Sequence, residues 1–365
     1  MIKFLDIYNQ DKKLHRTILT KIDKLFKKGD FILGNEVNLF EKNFSKFCGS
    51  KYAIGCANGT DALTLALLSL NLPKNSEVII PAMTYCSTAF SVINANLKPV
   101  LVDTEYLKST ISISELKKKI TKKTKVILPV HLYGSVANLS EIKRIIKMKK
   151  IYLIDDCAQA HGAKEEISKN NIKSVGSIAD ISCFSLYPGK NLGAYGDAGI
   201  ITTNNKFFYK RIRKLRNLGS EKKFIHELVG LNSRLDTIQA IILNSKLKNL
   251  SKYNLQRQKI AKYYNQNINN YKIKKIKYSK YSVYHQYIIL VKDRSKLIKL
   301  FKEKKITFGF HYPYAINQLK VFKNDFKNRK YKNAEILAKE SISIPIDPNL
   351  SFKQIKFITK TLNEF

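Results

Sequence analysis

The feature of this sequence that most limits its fold is a regular alternation between Lys51 and Thr203, where short β-branched and aliphatic runs are separated by amphipathic segments. The runs are YAIGCA (52–57), EVIIP (77–81), PVLVD (99–103), KVILPV (125–130), IYLID (151–155), ISCFSL (181–186) and AGIITT (198–203). TDALTLALLSL and NLSEIKRIIKMKK lie between them with helical spacing, the second opening on Asn138 or Ser140 as its cap. Such an alternation specifies an α/β architecture, a mostly parallel central sheet crossed over by flanking helices. From Leu235 the pattern changes to one long helical stretch, LDTIQAIILNSKLKNLSKYNLQRQKIAKYYNQ, expected to link two domains. The remainder, through YHQYIILV and LIKLFKEKKI to FKQIKFITKTLNEF, reads as a small α+β domain. The expected division is a large α/β domain over 1–245 and a small one over 246–365, together long enough to bury sizeable cores.

Composition narrows the class. With 66 Lys and Arg against 28 Asp and Glu the formal charge is +38. A positive field of that size concentrates anions, but the lysines are spread along the whole chain without an arginine-rich arm, an RNP-like aromatic motif or a zinc finger. A compositional drift therefore explains the charge better than nucleic-acid binding does, and no nucleic-acid partner is expected. No stretch of eighteen apolar residues occurs, and the opening MIKFLDIYNQDKK lacks a secretory apolar run, so a cytoplasmic protein without a membrane partner is expected. Five cysteines (Cys48, Cys56, Cys86, Cys157 and Cys183) show no C-x-x-C spacing and read as reduced thiols, with no metal site.

In α/β sheets ligands gather beyond the carboxyl ends of the strands, so the residues following each run carry the functional reading. In CANGTDAL a strand ends, Asn58-Gly59-Thr60 turns and a helix begins; free amide N–H groups there suit a phosphate, although a plain turn with a cap reads the same way. In PAMTYCST, Tyr85 follows a strand and can stack on a flat ligand or simply pack. In LIDDCAQAHGA, alternation sends Asp155 and Asp156 to opposite faces, so one can be structural while the other faces a site. A buried carboxylate needs a partner, and a cationic ring nitrogen would provide one. FSLYPGKNLGAYGDAG places Lys190 after a strand among glycines. Phe184 and Asn191 break the P-loop pattern, and the dinucleotide fingerprint is unmatched. A lysine there, near a phosphate turn and a carboxylate, can form a Schiff base with an aldehyde cofactor.

These stretches, with GDFILGNEVNLFEKNFSKF, PVHLYGSVANLSEI, GLNSRLDTIQA, VYHQYIILV and HYPYAINQ in the same order, resemble the DegT/DnrJ/EryC1/StrS family of pyridoxal-phosphate-dependent nucleotide-sugar aminotransferases. The resemblance implies the aspartate aminotransferase type fold (fold type I). It implies pyridoxal 5′-phosphate bound through Lys190, with pyridoxamine 5′-phosphate as the intermediate form. By the same resemblance, Asp156 meets the pyridine nitrogen, Gln159 the phenolic oxygen and Tyr85 the ring face. Gly59, Thr60 and Ser185 would take the phosphate, with Asn58 where the family usually has serine. Asn232 would reach the phosphate of a neighbouring subunit, which implies a homodimer with shared sites. Tyr133, His285 and Tyr312 are candidates near the sugar; Asp155 is expected to be structural and His161 to pack in the core. The implied reaction is ping-pong transamination from L-glutamate to a keto sugar. The motifs look most like members aminating the 3-position of dTDP-linked keto-6-deoxyhexoses; 4-aminotransferases of dTDP- or UDP-linked sugars are the alternative. A cofactor-dependent sugar dehydratase is disfavoured because such relatives carry histidine in place of Lys190, and a non-catalytic regulator because the cofactor set is intact. Burial and a cationic cofactor are expected to lower the Lys190 pKa.

Overall fold

The protein was analysed as a computed structural model that describes residues 1–327 and 329–365. Every expected strand forms, with no end shifted by more than three residues: β1 Tyr52–Cys56, β2 Glu77–Pro81, β3 Lys98–Val102, β4 Thr124–Ile127, β5 Tyr152–Asp156, β6 Ile181–Ser185 and β7 Gly199–Thr203. They make one sheet in the order β1-β7-β6-β5-β4-β2-β3. The pairings from β3 to β6 are parallel. Strand β7 runs antiparallel to both β6 and β1.

Successive residues of each strand enter different cores, as the pleat requires. Ile54, Ile80, Ile154 and Cys183 pack with Ala62, Leu63 and Val92 of helices α2 (Gly59–Ser69) and α3 (Cys86–Asn94). Ile79, Ile127 and Leu153 pack with Leu139, Ile142 and Ile146 of α4 (Leu139–Ile146). Ala53, Phe184 and Ile200 meet Val37, Phe40 and Phe44 of α1 (Asn35–Cys48). Helix α2 is apolar nearly all round because the sheet, α3 and a helix at 206–215 all cover it. Of the two caps proposed for α4, Asn138 takes the role: its side chain accepts the Glu141 N–H.

The single long helix expected after Leu235 is two helices, α5 (Thr237–Leu247) and α6 (Leu250–Asn267). Asn249, a weaker helix former than its neighbours, sits at the break. The apolar spacing continues across it because both helices have buried faces, α5 against α1 and α6 against the C-terminal core. That core surrounds a three-stranded antiparallel sheet of β8 (Lys274–Lys275), β9 (Tyr287–Leu290) and β10 (Ser341–Ile344). It includes Ile260 and Tyr264 of α6 and Ile358 and Leu362 of α7 (Phe352–Asn363). Ile2 also belongs to it and bridges Ile306, so the first residues pack with the last third of the chain. Among the described residues no helix is long and apolar enough to cross a membrane.

Candidate active site

A cavity of about 750 Å³ opens beyond the carboxyl ends of β1, β2, β5 and β6. That volume is within the range of cofactor and small-molecule sites. Asn58, Gly59, Thr60, Tyr85, Asp156, Gln159, Ser185, Lys190, His285 and Tyr312 all line it. Segments separated by more than two hundred residues thus contribute to one cleft.

One wall is the start of α2. The Asn58 side chain accepts the Asp61 N–H at 2.8 Å, capping the helix and leaving the amides of Gly59 and Thr60 free of that bond. Asparagine therefore caps the helix at this position, as serine can. The Thr60 hydroxyl donates to Ser87 Oγ at 2.8 Å. A side chain at Gly59 would put its Cβ 2.6 Å from the Cβ of Ser185, so glycine is required for β6 to approach the helix start. Free amides, a helix N-terminus and three hydroxyls make an anion cradle.

Strand β5 supplies the carboxylates. Asp156 faces the cleft, accepting the Thr88 hydroxyl at 2.9 Å and the Ala158 N–H at 3.0 Å. Burial pushes its carboxyl up; Ala158, Thr88 and the positive charge of Lys190 only partly oppose that shift. Such a group gains from a further cation. Asp155 lies behind the sheet, where His131 Nε2 is 3.1 Å from Oδ2. His131 Nδ1 accepts the Ala137 N–H at 3.0 Å, which puts the ring proton on Nε2, facing Asp155. The Cys157 thiol beside them is pushed up by burial and by Asp155.

Lys190 is part-exposed to the cleft but surrounded by protein, and burial lowers its pKa to about 8 while Asp156 works the other way. The next residue fixes its loop: Asn191 Nδ2 donates to Asn254 Oδ1 and to the Val283 carbonyl. Asn191 Oδ1 is thereby turned to accept from His285 Nδ1 at 3.0 Å. Burial and the nearby Lys190 hold His285 neutral, well below the usual imidazole range.

Gln159 joins the two sides of the cleft. Its Oε1 accepts the Tyr133 N–H at 2.5 Å and its Nε2 donates to the Tyr312 hydroxyl at 2.9 Å. Tyr85 is 52% exposed, with its ring 5.1 Å from that of Tyr312, so one face is open to a flat ligand. Tyr133 departs from its expected place near the sugar. It is fully buried behind the cleft, its hydroxyl donating to the His311 carbonyl. The turn that carries it has φ 60° and points the side chain into the protein. Asn232 is exposed and does not line the cleft of its own chain. His161 is buried against Phe184, with ring centroids 5.4 Å apart, and lines no part of the cleft.

The structure also brings in residues that the sequence reading did not single out: Thr88, His311 and Arg257. Thr88 was within reach, one helical turn after Tyr85 in the same motif. Arg257 had no local signal, being one basic residue in a lysine-rich helix whose orientation depends on tertiary packing.

Comparison with known proteins agrees with this geometry. The pattern of the DegT/DnrJ/EryC1/StrS aminotransferase family matches residues 12–363. The chain is 37% identical over 367 residues to dTDP-3-amino-3,6-dideoxy-alpha-D-galactopyranose transaminase of Aneurinibacillus thermoaerophilus, covering 100% of this chain and 99% of that protein. It is 35% identical to a pleiotropic regulatory protein of Geobacillus stearothermophilus, covering 100% of this chain and 98% of the other. Its fold matches a crystal structure of S. venezuelae DesV in complex with a ketimine intermediate, with a TM-score of 0.95, 30% identity and coverage of 100% and 98%. NtdA from Bacillus subtilis, solved with the cofactor PMP bound, has a TM-score of 0.91 at 27% identity, covering 100% of this chain and 84% of that one. The cleft fits such a cofactor on its own terms: an anion cradle at α2, an under-compensated carboxylate at Asp156, an open aromatic face at Tyr85 and a lysine of depressed pKa. Cofactor chemistry, fold and sequence agree, and the chain belongs to the DegT/DnrJ/EryC1/StrS family of pyridoxal-phosphate-dependent aminotransferases.

Proposed function

We propose that this protein transfers the amino group of L-glutamate to a nucleotide-linked keto sugar, at the 3-position of a dTDP-linked 3-keto-6-deoxyhexose. The observation that carries this reading is the pairing of Lys190 with Asp156 across one cleft, in a chain 37% identical to a dTDP-3-amino sugar transaminase. Bound there, pyridoxal phosphate supplies an electron sink that lets a proton leave the carbon bearing the amine. Lys190 Nζ is the base: with a pKa of about 8, a sizeable fraction is neutral near physiological pH and can take that proton and return it. Asp156 would hold the cofactor's ring cation, Gly59, Thr60 and Ser185 would hold its phosphate, and Tyr85 would cover the ring. Gln159, held by Tyr312, would meet the cofactor's phenolic side. His285 and Tyr312 face the incoming sugar, and Tyr133 acts from behind through Gln159 and His311. The partner subunit's Asn232 completes the phosphate site in a homodimer, which accounts for its exposed position outside its own cleft. The chain's positive field favours a diphosphate-linked acceptor.

The test is incubation of the loaded enzyme with L-glutamate and a panel of dTDP- and UDP-linked 3-keto and 4-keto hexoses, with the new amine located by NMR. A 3-amino dTDP sugar is the expected product. Amination at position 4 or of a UDP sugar would replace the acceptor assignment. Bound cofactor without turnover of any sugar would favour a regulatory role of the kind named for the Geobacillus relative. Lys190→Ala should lose both the cofactor's visible absorbance band and turnover, the latter by at least ~1,000-fold.

A further inference from the structure

Two side chains on the cleft wall carry a buried polar atom that no hydrogen bond reaches, among the described residues: Arg257 through Nε and Gln286 through Oε1. The first is a donor on a cation; the second is a neutral acceptor and calls for a group that donates. Gln286 immediately precedes β9 and is 4% exposed. Its backbone is fixed on both sides: the N–H donates to the Tyr133 carbonyl at 3.3 Å, and the carbonyl accepts the Tyr278 hydroxyl at 2.8 Å. Tyr278 is held in turn, its hydroxyl accepting the Ile288 N–H at 2.8 Å. The main chain therefore places this side chain, and the side-chain oxygen takes no part in the fixing. A glutamine that only filled space would be better replaced by methionine, which has nearly the same length and no acceptor to leave unmet.

What the reaction brings to the cleft narrows the partner. The amino donor's carboxylates, the acceptor's diphosphate and the carbonyl under attack present acceptors only, which an amide oxygen repels. The groups that donate are the amine, the N–H of a pyrimidine base and the hydroxyls of the sugar. The amine is engaged at Lys190, and the base lies across the diphosphate from the reacting carbon. Gln286, by contrast, follows His285, whose Nδ1 donates at 3.0 Å to Asn191 Oδ1, on the residue after Lys190. On its other side, the Tyr133 that accepts its N–H donates to Gln159, itself bonded to Tyr312. A hydroxyl on a ring carbon next to the carbonyl is the donor that fits this position. Because a hydroxyl also accepts, it can serve either end of the amide.

We propose that Gln286 reads a hydroxyl of the acceptor sugar, on a ring carbon adjoining the reacting carbonyl, by accepting its hydrogen bond at Oε1. The proposal rests on the aminotransferase reading and specifies a side chain that selects the acceptor. The tests use wild type and Gln286→Met, both loaded with pyridoxamine phosphate, and follow the acceptor half-reaction with a dTDP-3-keto-6-deoxyhexose and its 2-deoxy and 4-deoxy counterparts. Wild type should lose about 30-fold in kcat/KM for at least one of the two deoxy sugars. Gln286→Met should lose about as much for the full sugar and nothing further for that deoxy sugar, so that the two losses are not additive. With pyridoxal phosphate loaded, L-glutamate should convert the variant at the rate of wild type. The variant should also unfold no earlier than wild type, since the substitution removes an unmet acceptor. In calorimetry, dTDP-6-deoxyglucose, which has no carbonyl and cannot turn over, should bind wild type about 30-fold more tightly than Gln286→Met.

Equal loss by the variant for all three sugars would overturn the proposal, because a packing role does not depend on which hydroxyl is present. So would an unchanged kcat/KM for the full sugar. If wild type aminates a different ring position, the analogues are those lacking a hydroxyl beside that carbonyl, and the same non-additivity is required. If wild type aminates no sugar, the transaminase reading fails instead, and the dTDP-6-deoxyglucose titration decides alone: equal affinity in the two proteins, or binding to neither, removes Gln286 as a hydroxyl site.

Discussion

Asp155 and Asp156 are joined by one peptide bond and lie on opposite faces of β5. Behind the sheet, Asp155 accepts from His131 Nε2, while the ring's other nitrogen is tied to the backbone. In front of it, Asp156 has one hydroxyl and one amide as donors, with the nearby lysine only part of the compensation that burial demands. The back pairs its carboxylate with an imidazole of the protein and leaves Oδ1 without a partner, and the front is left short of positive charge. A carboxylate stabilises a fold when its partners come from the protein, and it binds when one partner must come from outside.

Mutation of each member tests the contrast directly. Asp156→Asn removes the charge but keeps the shape, and should lower turnover by roughly 1,000-fold while moving the unfolding midpoint little. Comparable turnover by the variant at saturating cofactor would break the distinction. Asp155→Ala should do the reverse, costing about 3 to 4 kcal/mol because the His131 N–H loses a charged acceptor inside the protein; turnover per folded molecule should hold, as measured by denaturant melts alongside active-site titration. A smaller effect sharpens the front-side reading. The Lys190 pKa is depressed from 10.5 to about 8, so between those values the unfolded chain holds more protons than the native one. Stability of the cofactor-free protein should therefore rise as pH increases from 8 to 10.5. Measured against Lys190→Met, the rise should be about 2 to 3 kcal/mol, reduced from the full shift because the residue is partly open to cleft water. A flat difference across that window would place the amine in ordinary solvent.

Much of this was legible in the chain. The period-two pattern of β5 alone separates Asp155 from Asp156, because neighbouring side chains on a strand point to opposite faces. Similarly, CANGTDAL announces a strand, a turn and a capped helix, all fixed by contacts within a few residues. Where the reading needed distant contacts it fell short. Tyr133 sits in the expected motif, yet its backbone turns the ring away from the cleft and into the protein. The break at Asn249 is hidden because the apolar spacing on its two sides serves different cores.

The sequence by itself determined the alternating architecture, the turn and cap at the start of α2, and which lysine and carboxylate follow their strands into the cleft, since each is encoded by local periodicity, backbone chemistry and motif order. Only the tertiary structure decided that Arg257, a basic residue unremarkable among 66, reaches the cleft while nearly all the others stay outside it. The physical reason is that burial of a charge and the lack of acceptors around it are properties of an environment assembled from residues far apart in the chain, and no local pattern carries them.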